Sequence, residues 1–148
     1  MRRIVILLIL QIIATGFCFG QLPHTFTQYT SEDGLSQNTI MSILQDDKGV
    51  MWFATWDGLY KFDGYTFNNY KAHPGDSIGL SNNRLDNIKE DRYGYIWVQS
   101  YNHQVYRFNP RLERFQAIPY DNYLSLDMYV LPCGDVWIIT VQNELIHI

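Results

Sequence analysis

From Ile40 onward, short apolar runs alternate with polar turns, and no window keeps a helical period closed by caps. One unit of this pattern reads as four strands: Ile40 to Leu44, a Trp-centred run from Met51 to Thr55, Leu59 to Phe62, and Phe67 to Tyr70. In the third run Leu59, Lys61 and Asp63 alternate with Tyr60 and Phe62, the period of a half-buried strand. Leu80 to Asp91 is the nearest candidate for a helix, but Asn82, Asn83, Asp86 and Asn87 weaken it, and its twin around Ile40 has the same defect. Strands are therefore expected throughout.

The pattern repeats. Leu35-Ser36-Gln37-Asn38-Thr39-Ile40-Met41-Ser42-Ile43-Leu44-Gln45-Asp46 lies without a gap over Leu80-Ser81-Asn82-Asn83-Arg84-Leu85-Asp86-Asn87-Ile88-Lys89-Glu90-Asp91, with five identities at a period of 45. Gly49-Val50-Met51-Trp52 then matches Gly94-Tyr95-Ile96-Trp97. Leu59-Tyr60-Lys61-Phe62-Asp63 matches Val105-Tyr106-Arg107-Phe108-Asn109 with one inserted residue. A third copy follows at a spacing of 40, with Gly134 and Trp137 repeating the Gly-x-x-Trp element and Leu145 to Ile148 at its third strand.

Four short strands in about 45 residues are one blade of a β-propeller. The expected fold is all-β: β-propeller blades, each a four-stranded antiparallel sheet, in about three repeats that form an incomplete ring. Blade one spans 35–72, blade two 80–118 and a partial blade three 124–148. Phe26-Thr27-Gln28-Tyr29 resembles Phe67-Asn68-Asn69-Tyr70, so 25–30 is expected to be an orphan outer strand that completes the last blade of a closed ring and leaves no open edge. Asp47-Lys48-Gly49-Val50-Met51-Trp52 has the spacing of an Asp-box hairpin, with glycine accepting positive φ and Trp52 covering the turn. Arg92 and Pro132 take the Asp47 place in the other copies. The element, with Gly49, Trp52, Gly94, Trp97, Gly134 and Trp137, is thus read as structural.

Composition adds an address and a charge. An aromatic share of 16% suits sheets whose faces pack across strands. Arg2 and Arg3, an apolar run from Ile4 to Ile13 and a small residue at Gly20 make residues 1–20 a signal peptide, with cleavage expected before Gln21 and delivery to the periplasm. An uncleaved anchor is the alternative, but Ile4 to Phe19 is short for a crossing of about 20 residues, and Gln11 interrupts it. Phe17 before Cys18 argues against lipid attachment. Without the leader, nine Lys and Arg stand against fifteen Asp and Glu, so nucleic acid is not an expected partner. Cys133 would then be the only cysteine, which excludes an internal disulfide.

The chemistry-bearing residues point to binding. His24, His73, His103 and His147 are scattered, so no metal site is expected; no phosphate-cradling glycine loop exists, and no cofactor is expected. Asp46-Asp47 and Glu90-Asp91 carry the carboxylates a glycosidase needs, but their repeated place at a turn makes them turn residues. Arg84, Arg92, Arg107 and Arg111 assemble no carboxylate-gripping cluster, and catalysis is not expected. In a propeller the connections into the first strand and between the second and third strands emerge on one rim. Trp56, Asp57, Tyr101, Asn102 and His103 would therefore lie near Asn38, Asn83 and Arg84. Aromatic plates beside Asn, Asp and His suit a sugar, whose C–H faces stack and whose hydroxyls bond. Trp56 and Tyr101 share one repeat offset, so packing between blades is the competing reading.

Glu32-Asp33-Gly34-Leu35-Ser36, Ile43-Leu44-Gln45-Asp46, Trp52-Phe53-Ala54-Thr55 and Gly58-Leu59-Tyr60-Lys61-Phe62-Asp63 together resemble the two-component regulator propeller repeat. Such repeats build the periplasmic sensor region of hybrid two-component histidine kinases, typically in Bacteroidetes. The resemblance implies a ligand-sensing propeller, often paired with a second one, followed by an immunoglobulin-like connector, a membrane span and kinase domains, with oligosaccharides as ligands and a homodimer as the signalling unit. The sequence ends at Ile148 within the third copy. A truncated frame or fragment is expected over a ring assembled from several copies, and the remaining blades and the kinase are the implied partners. A secreted lectin-like or scaffold propeller without signalling is the alternative function, and a glycoside hydrolase propeller is a third.

Overall fold

A computed structural model describes residues 25–36, 39–73, 75, 79–119 and 124–148. The expected leader 1–20 and Asn38 lie outside the described residues. Blade one holds β1 (Ile40–Gln45), β2 (Met51–Thr55), β3 (Gly58–Phe62) and β4 (Phe67–Tyr70). Blade two holds β5 (Leu85–Glu90), β6 (Ile96–Ser100), β7 (Val105–Asn109) and β8 (Arg114–Ala117). Blade three holds β9 (Ser125–Val130), β10 (Val136–Thr140) and β11 (Leu145–His147). Each sheet is an antiparallel meander whose spatial order follows the chain. The described residues therefore form an open array of all-β propeller blades, two of four strands and one of three.

Alternation along each strand serves two interfaces at once. In β2, Trp52 and Ala54 turn into the core between blades one and two, where they meet Leu85, Ile88, Ile96 and Val98. In β6, Ile96 and Val98 face that core, whereas Trp97 faces the next one with Met128, Val136 and Ile138. All five residues of β6 are buried because the middle blade is covered on both sides. Phe108 joins the blades through an edge contact to Trp52 at 5.6 Å and a tilted contact to Tyr70 at 4.8 Å between centroids.

Twin positions show what a missing neighbour changes. Leu85 and Ile88 are 0% and 1% exposed beneath blade one, but their repeat partners Ile40 and Ile43 are 37% and 60% exposed, because among the described residues nothing covers that face. At the other end Leu126, Tyr129, Ile139 and Leu145 are exposed. Both ends of the array thus present apolar sheet surface.

Residues 25–30, the expected outer strand of a last blade, are not paired in a strand here. A strand needs a ladder partner, and the expected partner, the third strand of a last blade, is not among the described residues. Tyr29 instead packs edge-on against Phe62 and Phe67 at 5.0 and 5.6 Å. Thr30 then caps a 3-10 turn at Ser31–Asp33, with Asp33 accepting from the Thr30 backbone N–H at 2.7 Å.

Candidate functional site

The turns between the first two strands settle which carboxylates do structural work. Asp46 Oδ1 accepts from the backbone N–H groups of Lys48 and Val50 at 3.0 and 2.8 Å, and its Oδ2 accepts from Trp52 Nε1 at 2.9 Å. Asp91 repeats this toward Tyr93, Tyr95 and Trp97 Nε1 at 2.9, 3.1 and 2.8 Å. The turn aspartate thus stands one residue before Asp47 and Arg92, which corrects the spacing read from Asp47. Leu131 takes this place in the third copy, and there Trp137 stacks on His147 at 4.3 Å between ring centroids. Gly49, Gly94 and Gly134 close the three turns at φ of 81°, 79° and 100°. Asp91 is buried rather than solvated.

The opposite rim gathers the candidate ligand residues. Trp56 N–H donates to the Thr39 carbonyl, Tyr101 N–H to that of Arg84 and Val141 N–H to that of Leu124, at 3.3, 2.8 and 2.9 Å. One backbone bond per blade thus ties the second turn to the residue preceding the first strand. Gly58 N–H donates to the Asn83 carbonyl at 2.8 Å, and Ser125 N–H to that of His103 at 2.9 Å, which bridges successive blades. These bonds bring Trp56, Asn83, Arg84, Tyr101 and His103 onto one rim, as propeller topology requires.

Their side chains divide into two groups. Asp57 Oδ2 accepts from Ser36 Oγ at 2.6 Å and Lys71 Nζ at 2.7 Å, with Tyr60 Oη at 3.3 Å and in contact with Ser36. Burial raises the Asp57 carboxyl, but the bonds from Lys71 and Ser36 and the charge of Lys71 outweigh it and hold it below the usual range. Blade two carries the same arrangement with Ser81 Oγ and Tyr106 Oη 2.6 Å apart and Asn102 Nδ2 donating to Ser81 at 3.3 Å. Asp57 therefore pins the entry segment of blade one to its third strand, whereas in blade two Ser81 meets Tyr106 directly and Asn102, which accepts from Ser100 Oγ at 2.6 Å, ties the entry segment to the end of the second strand. Asn83 Oδ1 accepts from Ala72 N–H at 2.7 Å, and His103, at φ 65°, places Nδ1 2.8 Å from the Ser125 carbonyl. Both are engaged in joining segments of the fold.

Arg84, Trp56 and Tyr101 form the second group. The Arg84 guanidinium carbon lies 4.2 Å from the Trp56 ring centroid and 3.9 Å from that of Tyr101, so the cation is held between an aromatic ring of each blade. Trp56 and Tyr101 remain 41% and 53% exposed. Arg84 Nε is buried with no hydrogen-bond partner. The rings pack at the blade junction, and what they pack is a cation.

Ser36, Tyr60, Lys71, Ser81 and Tyr106 were not among the sequence candidates. For all but Lys71 the signal was present as the Leu-Ser and third-strand Tyr that recur in both full copies. Farther out, the Tyr70 hydroxyl donates to Glu113 at 2.9 Å across a cleft of about 560 Å³ between blades one and two, which Lys71, His73 and Arg114 also line. Burial and then this carboxylate push the Tyr70 phenol well up. Among the described residues no three His, Cys, Asp or Glu side chains come together as a metal site, and no helix is long and apolar enough to cross a membrane.

Comparison with known proteins agrees with this architecture. Residues 34–57 match the model of the two component regulator propeller. The chain is 48% identical over 56 residues to histidine kinase P4 of Formosa agariphila, a match that covers 38% of this chain and 4% of that protein. The extracellular domain assigned to a hybrid two component system of B. thetaiotaomicron superposes with a TM-score of 0.67 at 23% identity, over 85% of this chain and 20% of that one. A second such domain from the same organism gives 0.56 at 25% identity, over 75% and 16%. The chain thus spans a small part of the length of each.

Proposed function

We propose that this chain, whose residues 34–57 match the two component regulator propeller, is part of the extracytoplasmic ligand-sensing propeller of a hybrid two-component sensor kinase, with oligosaccharides as the ligand class. The observation that carries this reading is the repeat itself, together with the kinase that shares 48% of 56 residues with it. The bare apolar faces at Ile40 and Ile43 and at Tyr129 and Leu145 support further blades on both sides of the array. The rim supports a binding role. Aromatic faces and N–H and O–H donors gather there, whereas Asp46 and Asp91 are occupied by their turns. In this reading the chain has no catalytic role of its own, and residues 1–20 act as its export signal. Ligand binding acts by favouring one of two arrangements of a sensor dimer, and the kinase reads the difference.

Two measurements test it. The DNA beyond codon 148 should continue in frame into more blades, a membrane span and kinase domains; a stop with none of these sinks the sensor reading. Calorimetric titration of the purified chain against a panel of neutral and charged oligosaccharides should find a saturable binder, and a uniformly silent panel removes the proposed ligand class.

A further inference from the structure

We infer that Arg84, held between Trp56 and Tyr101, is the receptor for an oxyanion on the ligand, a carboxylate or sulfate group carried by a sugar. This rests on the oligosaccharide reading above and deepens it to acidic saccharides. With both rings about 4 Å from its central carbon, the guanidinium lies over two aromatic faces. Its edge remains, and the edge carries N–H donors in the planar fork that matches two oxygens of a carboxylate or sulfate. Among the described residues no carboxylate forms an ion pair with Arg84, and its Nε is buried without a partner. A donor so enclosed is out of an arriving oxygen's reach, so the terminal Nη groups present the fork that meets the oxyanion.

The arrangement is also particular to one junction. At the equivalent places of the repeat stand Thr39 with Trp56, Arg84 with Tyr101, and Leu124 with Val141, joined by the same backbone bond each time. The bond that ties the second turn to the first strand is thus made without an arginine in two copies of three, and the cation is an addition to the repeat. The flanking rings supply what the rest of an acidic sugar needs, since both are about half exposed and can take its C–H faces while the oxyanion meets Arg84.

The test is a titration of the full chain, read by tryptophan fluorescence, with tetragalacturonate and its methyl ester, and with a sulfated galactose oligosaccharide and its desulfated form. Each pair differs in charge and keeps the sugar. At least one acidic member should bind about tenfold or more tighter than its neutral partner, the pair that does so identifying the oxyanion, and Arg84→Gln should abolish the difference while Arg84→Lys keeps part of it. Equal binding of both members of each pair overturns the inference but leaves the oligosaccharide reading standing. Silence of all four overturns the inference, and the neutral panel then decides the wider reading. A charge preference that survives Arg84→Gln also overturns it. The comparison within each pair uses the unaltered protein, so a variant that fails to fold does not remove the test.

Discussion

Replacing Asp91 by Ala tests the reading of the blade turn most directly. Three donors converge on this carboxylate: two turn N–H groups at 2.9 and 3.1 Å and Trp97 Nε1 at 2.8 Å. Bonds to a charged acceptor contribute about 1.5–3 kcal/mol each, though not additively. The turn N–H groups can recover water when the side chain goes. Trp97, only 4% exposed, cannot, and its buried N–H is left unpaired. The expected loss is about 3 kcal/mol, or a melting temperature lower by about 9 °C for a chain of this size. Asp91→Asn keeps one acceptor for the backbone but sets an amide N–H₂ against the indole N–H, and should lose about 2 kcal/mol. Asp47→Ala, one residue from the corresponding aspartate of blade one, should change stability by less than about 0.5 kcal/mol. The assay is urea unfolding of the full chain followed by tryptophan fluorescence, with the midpoint and slope fitted separately. Equal losses for Asp47→Ala and Asp91→Ala would refute the one-residue assignment, as would an Asp91→Ala that melts like the parent.

Burial raises the Glu90 carboxyl, and Asp47, Asp46 and Asp91 add to this against the bond from Asp47 N–H. The folded state therefore takes up a proton more readily than the unfolded chain, so this group favours folding as pH falls through its raised value and not above it. Glu90→Gln keeps an acceptor and should be more stable than the parent at pH 7, a gap that narrows at pH 4 in urea melts. Asp57 has the opposite sign: its lowered value adds stability above the ordinary carboxylate range that is lost as pH falls through the folded value. Because the Lys71 partner is 40% exposed, Asp57→Ala should cost only about 1 kcal/mol at neutral pH, and denaturation curves of the two proteins should converge at low pH. Gly58 has φ 113°, and a Cβ there would stand 2.5 Å from the Tyr70 carbonyl oxygen. Gly58→Ala should cost about 3 kcal/mol or more, whereas Gly64→Ala, at φ 98° with nothing within 4 Å, should cost about 1 kcal/mol; similar melting temperatures for the two would refute the steric argument.

The parts of the molecule visible in the sequence are those made by neighbours along the chain. Trp52 and Trp97 each stand six residues from the carboxylate that bonds them, and such a turn repeats its residues wherever it repeats its shape. Even there a pair of adjacent acids hid the register: Asp47 fits the Asp-box spacing, but the side chain that bonds Trp52 is that of Asp46, the one of the pair that recurs as Asp91 in blade two. The candidate rim was legible as a neighbourhood, because loop order in a propeller places Trp56, Arg84 and Tyr101 on one edge. The role of each residue was not. Asp57 and Asn102 have the chemistry of sugar ligands, yet Ser36 and Ser81, 21 residues upstream in each case, claim them.

By itself, then, the sequence determined the strand period, the antiparallel blades and the glycine turns between first and second strands, since alternation and glycine at positive φ are properties of a few consecutive residues. Tertiary structure decided everything that depends on how one blade turns against the next. It buried Leu85 and Ile88 beneath blade one, while among the described residues nothing covers their twins Ile40 and Ile43. It also closed two rings, 45 residues apart in the sequence, around the guanidinium of Arg84. The physical reason is the same in each case: burial and stacking are set by which surfaces meet across blades, and the local alternation of a strand is identical whether or not its face has a partner.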